Sequence, residues 1–181
     1  MTIYYKKVNL NIHQYTFELD KLKGNKLFEY GNNIGYFQIV DSEYLNKIFL
    51  NVFKIPPVKT FLVQAKSQLR PHKDNGSHSC LNYYIKPQGF VTNFWMPKEN
   101  AKRLTDKRFN SATNKYEDVE LGYDRDDLIL VDTFIANEND TYLLNIGEIH
   151  SVEGTKKEEP RTMIQFQWDL KMDELIEKLE L

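Results

Sequence analysis

The stretch LRPHKDNGSH, residues 69–78, carries a histidine and an aspartate two positions apart, between two apolar runs. On an extended backbone alternate side chains point to the same face, so His72 and Asp74 converge while Lys73 turns away. An imidazole and a carboxylate on one side supply two of the three ligands of the facial set that holds non-haem Fe(II). The alternative for the same residues is a loop aspartate that caps a turn beside a surface histidine.

A third ligand has to come from another part of the chain. His150 lies in the β-type run LLNIGEIHSVEG, and Arg161 opens the later run RTMIQFQW. If residues 149–153 and 161–167 are consecutive antiparallel strands, His150 and Arg161 lie nearly opposite each other and face one cavity, because cross-strand partners have neighbouring side chains. The pattern therefore brings a histidine and an arginine together as a second candidate pair.

Two other histidines compete for the role of third ligand. His78 follows His72 closely enough for a loop to fold it back, but we interpret it as a loop or substrate-side residue. We interpret His13 as a surface residue. The single cysteine, Cys80, lies in an apolar run and is interpreted as a small core residue, since one cysteine cannot form an internal disulfide.

Short β-type runs dominate the chain from residue 59 onward. Seven such runs without helices between them favour an antiparallel sandwich or barrel over a parallel sheet. Together with one earlier run, the predicted strands are residues 35–40, 59–67, 79–87, 90–97, 127–136, 141–147, 149–154 and 161–168.

Apolar residues at helical spacing predict two flanking helices, near residues 41–53 and 170–180. Residues 98–126 are charged and only weakly periodic, which indicates an insertion or flap over one end of the fold. No second domain is indicated, so residues 1–181 are predicted to form a single domain.

The motifs PHKD, HSVEG and EEPRTMIQF, in this order on a strand-rich chain, resemble the 2-oxoglutarate and iron(II)-dependent oxygenases. The stretch CLNYYIKPQGFVTNFW is similar to the strand pair that follows the His-x-Asp motif in prolyl-hydroxylase-like members, and HSVEG with EPR is similar to the aspartyl/asparaginyl hydroxylase-like branch. The resemblance covers about residues 59–168. It implies a mainly β fold, the double-stranded β-helix or jelly roll, and an oxygenase-like domain.

The resemblance also implies a chemistry. His72, Asp74 and His150 would ligate Fe(II), and 2-oxoglutarate would chelate the metal. Arg161 would bind the far carboxylate of 2-oxoglutarate, a task suited to a planar guanidinium that makes two parallel hydrogen bonds. The cosubstrate would be converted to succinate and CO2 while O2 hydroxylates a substrate, either a peptide side chain or a small molecule.

Further candidates lie on the strand after the metal loop. Asn82 and Tyr84 share a face of that strand, and their polar ends need partners inside a barrel, either the oxygens of the cosubstrate or an ordinary structural network. The superfamily often has serine or threonine two residues after the arginine, where this chain has Met163. Tyr84 or Thr92 would then have to supply the missing hydroxyl.

Two other function classes remain open. The first is a non-catalytic jelly-roll binding module in which the His/Asp set is structural. The second is a cupin-type metal protein without 2-oxoglutarate, in which Arg161 forms an ion pair with one of the nearby carboxylates of Glu153, Glu158 and Glu159.

Charge and composition limit the partners. With 24 basic and 26 acidic side chains the net charge is -2, so no general attraction to nucleic acid or membrane is expected. No run has the length of a membrane span and MTIYYKKVNL lacks the apolar stretch of a signal peptide, so we expect a cytoplasmic protein. The abundance of lysine, asparagine, isoleucine and tyrosine is compatible with an AT-rich genome, including a viral one.

Overall fold

The computed structural model describes residues 2–15, 17–22, 25–30, 34–39, 43–74, 77–110, 115–155 and 157–181, with the backbone alone for 25–30, 106–110 and 115–121. Short 3-10 turns occur at Asn11–Gln14 and Arg125–Asp127. The strands and helices are β1 (Tyr5–Lys7), β2 (Asn25–Tyr30), β3 (Ile34–Gln38), α1 (Glu43–Asn51), β4 (Lys59–Ala65), β5 (Leu69–His72), β6 (Ser79–Lys86), β7 (Val91–Pro97), β8 (Arg103–Asn110), β9 (Lys115–Tyr123), β10 (Leu128–Ile135), β11 (Thr141–Leu144), β12 (Ile149–Glu153), β13 (Arg161–Trp168) and α2 (Met172–Leu179).

Two antiparallel sheets form the body of the molecule. The larger sheet has seven strands in the order β1-β11-β6-β13-β4-β3-β2, and the smaller has four in the order β10-β7-β12-β5. Strands β8 and β9 pair only with each other. This is a mainly β sandwich of the jelly-roll kind, as the sequence predicts.

Side chains alternate in direction along the central strands, so each face of the large sheet packs into a different core. On β6, Cys80 and Tyr84 belong to the core between the two sheets, whereas Leu81 belongs to the core on the opposite face of the large sheet. On β13, Met163 faces the inter-sheet core and Ile164 faces the other. Both faces of these strands are buried, including most of their polar residues.

The two predicted helices are present and cover the outer face of the large sheet. Helix α1 buries Leu45 and Ile48, and α2 buries Leu175 and Leu179, against Trp168 and its neighbours. The predicted first helix includes residues 41 and 42, which lie outside the described residues. No helix within the described ranges is both long enough and apolar enough to span a membrane.

One predicted pairing is wrong. Strands β12 and β13 do not form a hairpin: β12 pairs with β5 and β7 in the small sheet, and β13 pairs with β4 and β6 in the large one. The connection between them, residues 154–160, is longer than the loops that usually close hairpins, and it crosses from one sheet to the other. His150 and Arg161 are therefore on facing sheets and are not cross-strand partners.

Residues 98–126 contain a two-stranded hairpin that the weak periodicity does not predict. Its strands β8 and β9 are held in register from Arg103, opposite Tyr123, to Asn110, opposite Lys115. The tip, residues 111–114, lies outside the part of the chain that the structure describes. The base of the hairpin adjoins β5, the strand that carries His72.

Candidate metal centre

Strand pairing in the small sheet brings the two histidines together. His150 near the start of β12 lies directly opposite His72 at the end of β5, and their ring centroids are 4.5 Å apart. Asp74 follows β5, and its backbone N–H donates to the carbonyl of Ile146, 3.1 Å away, in the loop that leads into β12. The loops at this end of the sheet therefore hold the aspartate beside both rings.

The three side chains present their donor atoms to a common point. His72 Nε2 lies 3.3 Å and His150 Nε2 lies 4.0 Å from the same oxygen, Asp74 Oδ1. One ligand atom from each of the three lies within 4.8 Å of the others. Two imidazoles and one carboxylate are the donor set of the facial triad, which leaves the other coordination positions of a metal open. We call these three residues the metal end.

The rings of His72 and His150 are held by the same kind of hydrogen bond to a backbone carbonyl. Nδ1 of His72 lies 2.7 Å from the carbonyl of Arg70, and Nδ1 of His150 lies 3.0 Å from the carbonyl of Glu148. A carbonyl oxygen only accepts, so each Nδ1 carries the proton and donates it. The lone pair of each neutral imidazole is then on Nε2, the atom that faces Asp74, as a metal ligand requires.

The charge states of His150 and Asp74 favour metal binding. Burial, reinforced by the neighbouring His72, lowers the pKa of His150 to about 4, so its ring is neutral at neutral pH. Burial opposes charge on His72 and Asp74 as well, but the hydrogen bond and the attraction between them prevail. The pKa of His72 is therefore raised and that of Asp74 lowered, and Asp74 is an ionised carboxylate.

Arg161 faces the metal end from the large sheet. It is the first residue of β13 and is only 4% exposed. Its guanidinium carbon lies 5.5 Å from the centre of the Tyr84 ring, and its Nη2 donates to the sulfur of Met163, 3.2 Å away. Tyr84 and Met163 belong to the core between the two sheets together with Phe94, whose ring centroid lies 6.2 Å from that of His150, so the residues around the guanidinium and the metal end line one interior. We call Arg161, Tyr84 and Met163 the arginine end.

No carboxylate within the described ranges forms an ion pair with Arg161. Of the acids proposed as its partners, Glu153 binds Arg125 at 3.2 Å and Glu159 binds Lys86 at 3.4 Å. Among the described residues no carboxylate pairs with Arg161, and its buried Nε has no hydrogen-bond partner. A buried guanidinium whose charge no carboxylate compensates is costly. It can therefore gain by binding an anion.

Asn82 and Tyr84 are joined by hydrogen bonds on the inner face of β6. The side-chain amide of Asn82 donates to the Tyr84 hydroxyl at 3.4 Å, and its oxygen accepts from the Cys80 thiol at 3.6 Å. Burial raises the pKa of the Tyr84 phenol despite the charge of Arg161, so the phenol keeps its proton. Because the hydroxyl oxygen accepts from Asn82, that proton can be donated elsewhere.

A longer polar chain continues from Cys80 toward β13. Ser77 donates to Gln167 at 3.2 Å, Gln167 donates to Gln165 at 2.9 Å, and Gln165 donates to Cys80 at 3.6 Å. The alternation of polar residues on β13 indicates such a wall from sequence alone. Phe94, which lies opposite His150 on β7, also faces the metal end, and nothing in the local sequence distinguishes it from an ordinary core phenylalanine.

The two competing histidines are not part of the cluster. Within the described residues, the group able to hold a metal consists of His72, Asp74 and His150. His78 is exposed and lies near Gly147. His13 is exposed on the 3-10 turn Asn11–Gln14.

Comparison with known proteins gives little to add. No model of a known protein family matches the chain, and no curated protein matches it. Among solved structures, one described as Fe(II) HppE matches 79% of this chain at 10% identity with a TM-score of 0.31. The match spans 55% of that structure's chain. The case for a metal site therefore comes from this chain's own residues.

Proposed function

We propose that this protein is an Fe(II)- and 2-oxoglutarate-dependent dioxygenase that hydroxylates a peptide side chain or a small molecule. The observation that carries the proposal is a facial set of two histidines and one aspartate opposite a buried arginine for which the described residues supply no carboxylate partner. In this proposal, residues 1–181 act as one oxygenase-like domain with the segment 98–126 as its insertion. When bound, Fe(II) and 2-oxoglutarate supply the oxidising chemistry: one atom of O2 becomes the substrate hydroxyl, and the other enters succinate as CO2 leaves.

The metal end suits a divalent ion because of its donor atoms and because its side chains are already held in position. Both Nε2 atoms are aimed at the Asp74 carboxylate, and both rings are locked by backbone carbonyls, so little ordering remains to be done on binding. The carboxylate neutralises part of the charge of the ion. His72, Asp74 and His150 would hold Fe(II), and the chain leaves the other positions of the ion to the cosubstrate and O2.

The arginine end fits the distal carboxylate of 2-oxoglutarate. Arg161 offers a fixed fork of donors, of which Nε is unpaired in the chain. The Tyr84 ring lies beside the guanidinium, and its hydroxyl would take the place of the serine or threonine that the superfamily often has at the position of Met163. Asn82 would act indirectly, since its amide already binds Tyr84.

Unfolding temperatures with and without ligands test this assignment. Mn(II) should raise the midpoint, and N-oxalylglycine, an unreactive analogue of 2-oxoglutarate, should raise it further only when Mn(II) is present, since ligands that bind the native state stabilise it. A shift with metal alone would favour the cupin-type protein, and no shift with either would favour the binding module. The unpaired state of Arg161 argues against the cupin-type ion pair.

Turnover gives the second test. With Fe(II), O2 and 2-oxoglutarate, succinate formation should rise when the correct substrate is added. A screen of free amino acids and proline-, aspartate- or asparagine-containing peptides separates the two substrate classes. Absence of succinate with every candidate, together with no stabilisation by the analogue, would contradict the proposed dioxygenase.

A further inference from the structure

The strand that carries His72 is weakly held within its own sheet. β5 has four residues, lies at the edge of the small sheet and pairs with β12 alone. That pairing has two registered positions, His72 with His150 and Leu69 with Val152, and the register shifts between them. A short edge strand with an irregular ladder needs further support if its last side chain is to stay in place.

The hairpin supplies a contact on the other side of β5. Gly122 in β9 has φ +105°, and a Cβ built there would lie 2.1 Å from the carbonyl oxygen of Pro71 and 3.3 Å from Cβ of His72. The atoms it would meet first belong to the backbone of β5, so no side chain can simply move aside. Hence Gly122 allows the hairpin to lie directly on the strand at the metal ligand.

The next residue anchors the hairpin to the sheet. Tyr123 packs with Trp95, Leu128 and Ile149, a buried cluster on the face of the small sheet opposite Phe94 and His150. The register of the hairpin shifts beside Gly122, where Leu104 pairs with Gly122 and the next pair along is Thr105 with Glu120. The Tyr123 anchor, the shift in the strand register and the glycine, which has no side chain, therefore occur at the same point of the hairpin.

We propose that Gly122 is a positioning residue for the metal centre. It lets the base of the hairpin press on the backbone of Pro71 and His72, which keeps β5 in register with β12 and aims His72 at Asp74 and His150. This inference rests on the metal site of the proposed function. The insertion would then support β5, the strand that carries His72, from outside the small sheet.

Gly89 provides a matched control. It also has a left-handed backbone, with φ +70°, but a Cβ added there would meet nothing within 4 Å. Gly89→Ala therefore imposes the backbone strain of a left-handed alanine without a collision. Gly122→Ala imposes that strain together with displacement of β5, so the difference between the two variants isolates the contact with the ligand strand.

The experiment measures Mn(II) affinity by titration, well below the unfolding midpoint of each metal-free protein. We expect both variants to unfold at lower temperature, but only Gly122→Ala to bind Mn(II) at least tenfold more weakly than the unmodified protein. Equal Mn(II) affinity in the two variants would overturn the inference. If Gly122→Ala does not fold, Tyr123→Ala loosens the anchor without a collision, and it should weaken Mn(II) binding more than Gly89→Ala does.

Hydrogen exchange separates failure of this inference from failure of the proposed function. If the unmodified protein binds no Mn(II), the metal site is refuted, yet the support of β5 is still measurable in the metal-free protein. A peptide spanning residues 69–74 should exchange faster in Gly122→Ala or Tyr123→Ala than in Gly89→Ala. Equal exchange in these variants would show that the hairpin does not hold β5.

Discussion

The metal end and the arginine end are supported in different ways. His72 and Asp74 have side chains 25% and 27% exposed, and they lie on a short edge strand and the loop after it. Arg161 is 4% exposed and begins β13, a long strand paired on both sides. At the metal end His72 and Asp74 are thus partly open to solvent and lightly supported while His150 is buried, whereas the arginine end is part of the packed interior.

Because of this difference, changes at the two ends should affect function and stability to different degrees. Ligands at an open end can be removed without leaving a large cavity, so such changes should act on function much more than on folding. A residue at the buried end is coupled to the core through its neighbours, and changing it should alter both.

The largest effect is expected from removing a metal ligand. His72→Ala or Asp74→Ala should reduce succinate formation below detection, because two ligands hold the ion weakly and leave its geometry undefined. The unfolding midpoint without metal should change by only a few degrees, since both side chains are partly exposed. His78→Ala is the matched control and should keep full activity. Turnover at the original rate by Asp74→Ala would exclude the triad.

The next largest effect is expected at Arg161. Arg161→Lys keeps the charge but loses the planar fork, so the KM for 2-oxoglutarate should rise by about 10- to 100-fold while Mn(II) affinity stays the same. An unchanged KM would show that the arginine is wrongly assigned.

Arg161→Met sharpens the contrast between function and folding. It replaces an unpaired buried charge with an apolar side chain of similar length, so binding of 2-oxoglutarate should be lost. The metal-free protein should unfold with a free energy equal to or about 1 kcal/mol above the original, as measured by urea titration. Strong destabilisation by this variant would mean that Arg161 is compensated within the fold.

A smaller effect is expected from Tyr84→Phe. The variant removes one donor to the distal carboxylate, which should raise the KM for 2-oxoglutarate by about tenfold, as one hydrogen bond to a charged group is worth about 1.5–3 kcal/mol. It also leaves the amide of Asn82 without its acceptor, so stability should fall by about 1 kcal/mol. A loss of stability with no change in KM would make Tyr84 a purely structural residue.

The sequence predicts the parts of the fold that are buried on both sides better than the edges. Runs such as residues 59–67 and 161–168 contain strands β4 and β13 because strands buried on both faces keep β-forming apolar residues such as Phe, Val and Ile along their length, even where polar residues lie between them. Strands β1, β2, β5, β8 and β9 were not predicted. They lie at sheet edges or outside the sandwich, where polar and charged residues are favoured and alternation is weak.

For the candidate site, local geometry was predictable and long-range pairing was not. The approach of His72 and Asp74 follows from backbone alternation alone. The pairing of His150 with β5 and the placement of Arg161 on the other sheet depend on which sheet each strand joins, and no local pattern determines that choice. Gly122 lies in residues 98–126, whose charged and weakly periodic sequence does not predict a strand, so its close approach to β5 could not be predicted.

The smallest effect is expected at Cys80, whose thiol is buried at the inner face between the two ends. Burial, with the charge of Asp74, raises its pKa well above the ordinary range of a thiol. The folded protein therefore holds this proton more tightly than the unfolded chain does. Stability from this source is complete below the thiol pKa of the unfolded chain, about 8.5, and is lost as pH rises toward the folded pKa, at about 1.4 kcal/mol per pH unit.

Urea unfolding of the metal-free protein at pH 8, 9 and 10 measures this dependence. Cys80→Ser keeps a small hydrogen-bonding group that does not titrate in this range, so its stability should fall less steeply between pH 9 and 10 than that of the original protein. Tyrosines contribute equally to both proteins, and the difference in slope belongs to the thiol. Identical slopes would mean that the thiolate is tolerated inside the fold, and that the interior between Asp74 and Arg161 is more accessible to water than its burial indicates.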